Sequence, residues 1–230
     1  MNWTQTDGAR RRVVMIGLIL GPAMLTASNA FVIQAQSDSM RAGFDAMTAN
    51  PTMLLVQSLL EGVGFMITFA SFAGAAQATR SRGGALGTWG AALCIVGILG
   101  FALSSGRGLT FFALVQLPDH DAGFAAAAAV AGDTANAAIQ TVLTFAGQLG
   151  ICLVIAGLIR ARASRVWPLV MVAAGIVIVT VFGMVLTTVV ADILLLAASI
   201  WIAVRLGRSS RETWLGQSYP VQVQSARTAV

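Results

Sequence analysis

The sequence predicts an all-α protein: a polytopic bundle of about six transmembrane helices with both termini cytoplasmic. Three observations predict it. Hydrophobic residues make up 57% of the 230-residue chain and charged residues only 10%, against roughly 25% charged in soluble domains. The apolar stretches are continuous rather than alternating. That suits helices and not a membrane barrel, because lipid offers backbone polar groups no partner outside their own helix. All 14 basic residues are arginine, in short clusters between apolar runs, the pattern of cytoplasmic loops. The predicted spans are 13–34, 52–77, 84–105, 134–159, 166–184 and 187–205, in a single membrane domain over 1–230.

Residues 1–9 are polar and are expected to be disordered. Arg10, Arg11 and Arg12 then precede an apolar run from Val13 to about Ile33, long enough for a span of about 20 residues. Pro22 removes an amide from the helix and frees the carbonyl of Leu18, which predicts a kink. A signal peptide competes with a retained anchor here, with Ser28-Asn29-Ala30 as the small-residue cleavage site. The retained anchor is preferred because Phe31-Val32-Ile33 carries the apolar run past that site.

A polar loop over 34–50 holds Asp38, Arg41 and Asp45, and Asn50-Pro51 reads as a helix start. The second span ends at Arg80 and Arg82. Gln57, Glu61, Gly64, Thr68, Ser71 and Ala75 share one small or polar face of it, which should pack against protein rather than lipid. In the third span Gly83, Gly87, Gly90, Cys94 and Gly97 recur at three and four residues, a ridge where another helix can approach closely. Arg107 follows, then Leu109 to Leu117, apolar but too short to cross. That stretch either continues the third helix or lies along the interface.

Asp119, His120, Asp121 and Asp133 bracket an alanine tract in a loop over 118–133, the tract being either a short helix or the run-in to the fourth span. The fourth span carries Asn136, Gln140, Thr144 and Gln148 every four residues and stops at Arg160, Arg162 and Arg165. From Val166 to Val204 the one formal charge is Asp192. As a single helix this stretch would be about 58 Å long, nearly twice the hydrocarbon core. It must therefore fold back, with a turn over Gly183 to Thr188, and the tail 206–230 is expected to be disordered. Arg10, Arg11, Arg12, Arg80, Arg82, Arg160, Arg162, Arg165, Arg205, Arg208, Arg211 and Arg227 then share one side, leaving Arg41 and Arg107 on the other. Trp89, Trp167 and Trp201 fall where interfacial anchors belong on the arginine side.

Function is less legible. The net charge of +5 is spread over loop clusters, which argues against a nucleic-acid partner; the expected partner is the lipid bilayer. Cys94 and Cys152 sit apart within apolar segments and make neither a disulfide framework nor a metal site. His120 is the single histidine, which excludes bis-histidine haem ligation and an intramembrane Ser104–histidine dyad. Walker A and dinucleotide glycine patterns are absent. No catalytic, cofactor-binding or metal-binding residue is assigned, and an integral-membrane enzyme ranks last.

Glu61 and Asp192 are the carboxylates within spans, where a charge costs several kcal/mol and marks a functional site by default. With Gln57, Asn136 and Gln140 they fall in the outer half of the bundle, and Arg107 stands at the same rim. The expected function is therefore binding or passage of a small polar or cationic solute through an outward-facing polar cavity, with Arg107 as gate or counter-charge. The structural alternative is an interior joined by interhelical hydrogen bonds, with Arg107 neutralising a carboxylate. A second functional class is an accessory protein whose ridge (Gly83, Gly87, Gly90, Gly97) packs against a partner span or a second copy.

The second half, Ala137 to Leu206, carries Leu158-Ile159-Arg160-Ala161-Arg162, then Trp167-Pro168 and a tight apolar hairpin. In this it resembles a large class of small uncharacterised bacterial integral membrane proteins with five or six spans. That resemblance implies a helical bundle in a bacterial plasma (inner) membrane and carries no catalytic residue onto this chain. The abundance of Ala, Gly, Val and Arg over Lys, Asn and Ile points the same way.

Overall fold

The computed structural model describes residues 3–32, 39–80, 82–182, 185–209 and 214. They form eight α-helices and no strand: α1 (Trp3–Val32), α2 (Met40–Ala49), α3 (Pro51–Ala75), α4 (Gly84–Leu114), α5 (His120–Gly132), α6 (Thr134–Arg160), α7 (Trp167–Phe182) and α8 (Val185–Arg208). Five of them, α1, α3, α4, α6 and α8, are long and apolar enough to cross a membrane, and α7 is an apolar helix of 16 residues. At 1.5 Å per residue α7 is about 24 Å long, short of a full hydrocarbon core. The chain is a helical membrane bundle.

Neighbouring long helices run antiparallel, and small residues decide where they meet. A Cβ on Gly21 of α1 would lie 2.7 Å from the amide nitrogen of Thr68 on α3. Further along the same pair, the Ser28 hydroxyl donates to the Gln57 carbonyl at 3.2 Å. The predicted face of α3 does pack inward: Gly64, Thr68, Ser71 and Ala75 are buried, and Gln57 and Glu61 half-buried. The glycine ridge of α4 closes on α6. A Cβ on Gly90 would meet the Val154 nitrogen at 2.7 Å, one on Gly97 the Gly147 Cα at 2.5 Å, and one on Gly100 the Leu143 Cβ at 2.7 Å. Lipid tails are as apolar as leucine, so such backbone approach, rather than hydrophobic burial, is what holds membrane helices together. The ridge is thus filled from within the chain, by α6 and, at Gly87, by Thr79. Gly83 ends the ridge at φ +100°, where only glycine is unstrained, with Gly157 O 2.8 Å from its missing Cβ.

The hairpin of α7 and α8 has its register set by Gly175 against Ala191. Its connection over 183–184, including Gly183, lies outside the described residues, as do Asp38 and Ser81; Thr187 and Thr188 belong to α8. The hairpin is fastened through α8 to α1, while α7 touches α6 only lightly. At one end the Arg11 guanidinium donates to Leu206 O and, at 2.8 Å, to Ser209 O. A cation on the last carbonyls of a helix meets the negative end of its dipole. The α6 terminus stops by its own means: Ala163 N donates to Leu158 O at 2.8 Å and Arg162 N to Ile159 O at 2.9 Å, with Arg162 at φ 59°. This is a Schellman ending with arginine in the usual glycine position. Arg10, Arg11, Arg12, Arg80, Arg82, Arg160, Arg162, Arg165, Arg205 and Arg208 consequently share one end of the bundle.

Several expectations need correction. The helix begins at Trp3, so residues 3–9 are helical rather than disordered. Loop 34–50 contains α2, capped by the Ser39 hydroxyl accepting from Ala42 N at 3.2 Å. Loop 118–133 contains α5, capped by Asp119 accepting from Asp121 N and Ala122 N. Asp133 caps α6 through Asn136 N. The alanine tract is therefore a separate short helix. Leu109–Leu114 continues the third span, and the second ends in a 3-10 turn, Ala76–Thr79. In the tail, Trp214 is buried at 1% exposure within the core cluster that also holds Leu206. Arg211 and Arg227 lie outside the described residues.

Helices α2 and α5 form a cap at the end opposite the arginine clusters. Phe44, Leu54, Val115 and Ala127 make a small second core there. Around it Arg41 pairs with Asp121 at 2.8 Å and Asp45 at 3.3 Å, and His120 Nε2 meets Asp45 at 2.8 Å. The hydrogen bond that the Arg41 guanidinium donates to Asp121 leads the effects that hold Arg41 above its usual range. The acidic loop is thus a set of helix caps and cross-helix pairs.

Candidate binding site

Three spaces receive the polar residues of the spans, and they do not coincide. The first is a cleft of about 440 Å³ with α3 and α4 behind and α6 and α7 at its sides. Glu61 sits at its back beside Phe101 and Ser104. Gln140, Thr141, Thr144, Phe145 and Gln148 line one side, and Ile176, Val179 and Thr180 the other. The four-residue spacing on α6 puts its amides on one face, and the glycines of α6 turn that face away from α4. Glu61 lies ten residues beyond Pro51, about 15 Å along the helix at 1.5 Å per residue. It makes no hydrogen bond or ion pair among the described residues.

The second space is a pocket of about 110 Å³ lined by Asp192, Thr68, Gln148 and Thr188 with Phe65 and Phe69. It shares Gln148, Ile176 and Val179 with the cleft. Asp192 is 7% exposed, and its Oδ2 accepts a 2.6 Å hydrogen bond from Asn29 Nδ2 across the α1–α8 contact. Glu61 and Asp192 lie within electrostatic reach of each other. Of the two carboxylates, one is answered by an amide and the other is not.

Arg107 and Asn136 belong to the third space, of about 650 Å³ between α4, α5 and the start of α6, with Asp133 and Thr110. The Arg107 guanidinium donates to Val130 O at 3.0 Å. It ties α5 to α4 and makes no ion pair with Glu61 or Asp192 among the described residues. Arg107 is three residues, about 4.5 Å of helix rise, beyond Ser104. The expectation of Arg107 as counter-charge to a carboxylate is corrected accordingly. Gln57 lines none of these spaces and contributes its backbone carbonyl to Ser28.

Sequence reasoning brought forward Glu61, Gln140 and Asp192, which the fold gathers around Gln148. It gave Asn29 and Gln148 no place among the candidate site residues and overlooked the aromatic wall. Phe65 stacks on Phe101, and Phe69 on Phe65, behind the carboxylates. Their spacing on α3 was a usable signal, but helical aromatics occur as commonly on lipid-facing surfaces. Comparison with protein-family models, with curated proteins and with solved structures finds no match to this chain.

Proposed function

We propose that the protein binds a small cationic solute at Glu61, with Asp192 beside it, and passes it across the membrane. The observation that carries this reading is the unanswered carboxylate of Glu61 at mid-span depth. An ionised group there costs several kcal/mol, and the described residues supply it no hydrogen bond and no cation. Packing alone would be served better by leucine. Asp192 is the contrasting case, since its bond to Asn29 gives it a structural use as well. The test is cation or proton flux into proteoliposomes. Glu61→Gln, nearly isosteric and uncharged, should abolish flux that the wild type supports, and equal flux in both would refute the assignment.

The proposed setting is a bacterial plasma membrane with both termini cytoplasmic. Ten described arginines at one end of the bundle, against Arg41 and Arg107 toward the other, support that orientation. Exposed Trp89, Trp167 and Trp201 lie near the same end. In a background with Cys94 and Cys152 replaced by alanine, an impermeant thiol reagent should label a cysteine at exposed Ala122 in whole cells and spare one at exposed Arg162. The reverse pattern would invert the topology.

A further inference from the structure

The cleft at Glu61 has an opening that the sequence does not reveal. Its two sides, α6 and α7, touch each other only lightly. Both helices present large apolar side chains outward beside it: Val142, Phe145 and Leu149 on α6, Val177 and Val181 on α7. Thr141 and Thr180 are exposed at its edges. In a bilayer these surfaces face acyl chains, so the mouth of the cleft opens sideways into hydrocarbon. Its volume of about 440 Å³ is that of a site for a drug-sized molecule.

The lining specifies the chemistry. Among the described residues Glu61 is the one ionisable group lining the cleft, so the site offers a ligand a single carboxylate. Around it stand the rings of Phe101 and Phe145 and the aliphatic Ile176 and Val179. A hydrated divalent ion would need several oxygen ligands of high charge, and a single carboxylate with scattered amides and hydroxyls does not make that set. A diffuse cation suits both parts, since it pairs with the carboxylate and lies against aromatic faces.

We infer that the α6–α7 cleft is a side entrance from the bilayer for lipophilic monovalent organic cations, an ammonium or phosphonium centre bearing aromatic or alkyl groups. The inference rests on the assignment of Glu61 as the binding group and adds the route and the ligand class. Among the described residues no arginine or histidine lines the cleft to repel such a ligand. Its hydrophobic body partitions into the hydrocarbon from which the mouth is reached.

Equilibrium binding of radiolabelled tetraphenylphosphonium to the purified full chain in detergent tests this. Saturable binding is expected, weakened about tenfold or more in Glu61→Gln, because the charge attraction in a low-dielectric site is lost. Thr180→Trp, at an exposed edge of the cleft, should obstruct the mouth and weaken binding while the melting curve stays that of the wild type. It keeps the test open if Glu61→Gln fails to fold. Absence of saturable binding, or binding unaltered in both variants, overturns the inference. If tetraphenylphosphonium does not bind while sodium or proton flux still depends on Glu61, the side entrance falls and the solute reading of Glu61 stands. If both fail, the assignment of Glu61 falls as well.

Discussion

The two faces of α6 are built in opposite ways. On one, Gly147, Gly150 and Gly157 let the helix close on α4 until backbones nearly touch. On the other, Gln140, Thr144 and Gln148 border a cleft that α7 does not close. The difference follows from the solvent. Where lipid competes equally for apolar side chains, only small residues give a contact tighter than lipid can give. Bulky polar residues hold a neighbouring helix off and keep a space that a ligand can use. One seam therefore carries the fold, and the other carries the candidate site.

The largest effect should come from filling the closed seam. Gly97→Leu sets a branched side chain where Gly147 Cα stands 2.5 Å from the missing Cβ. Backbone cannot yield as a side chain can, so the cost should reach about 3 kcal/mol or more. A wild-type melting curve in detergent would show that this seam does not hold the fold. Next comes the polar tie between α1 and α8. Asn29→Ala removes the hydrogen bond to buried Asp192 and should cost about 1–3 kcal/mol, the range for leaving a buried polar group unsatisfied. Restoration of the melting temperature by adding Asp192→Asn would support that cause.

Smaller effects are expected in the cap. Arg41→Gln breaks exposed pairs to Asp45 and Asp121, which water and salt screen strongly, so little global stability rests on them. Faster amide exchange confined to α2 and α5, with an unchanged global melt, is the expected result; a global loss of stability would make the cap part of the main core. Smallest of all is Gly106→Ala. Among the described residues nothing outside its own stretch of α4 lies within 4 Å of that missing Cβ, so alanine should be neutral or stabilise α4 by up to about 1 kcal/mol. Destabilisation would mean that another helix or partner covers this position.

Hydropathy alone reveals the long helices, because 20 or so apolar residues in lipid have few alternatives to a helix. The short helices hide for the opposite reason. Their composition is mixed, yet Ser39 and Asp119 are cap residues placed just ahead of α2 and α5, and cap chemistry rather than hydropathy was the signal. The site is half legible. Glu61, Gln140 and Asp192 stand out as polar groups in apolar runs. That Arg107 turns toward Val130, and Asp192 toward Asn29, depends on helix rotation and on which helices adjoin. Those are fixed by contacts such as Gly90 on Gly150 and Gly175 on Ala191, each of which joins two different helices. Trp214 is the same kind of case: an aromatic in a polar tail whose burial only the assembled bundle decides.

The central claim is that Glu61 serves binding rather than packing, and the melting temperature of Glu61→Gln tests it most directly. An unpartnered carboxylate contributes no interaction that its amide lacks, and it carries the cost of an uncompensated charge in lipid. The account predicts that the variant melts at the wild-type temperature or a few degrees above it, with unchanged expression and helicity. A melting temperature several degrees lower would mean that the carboxylate holds helices together, and would contradict the division of α6 into a seam that folds and a seam that binds.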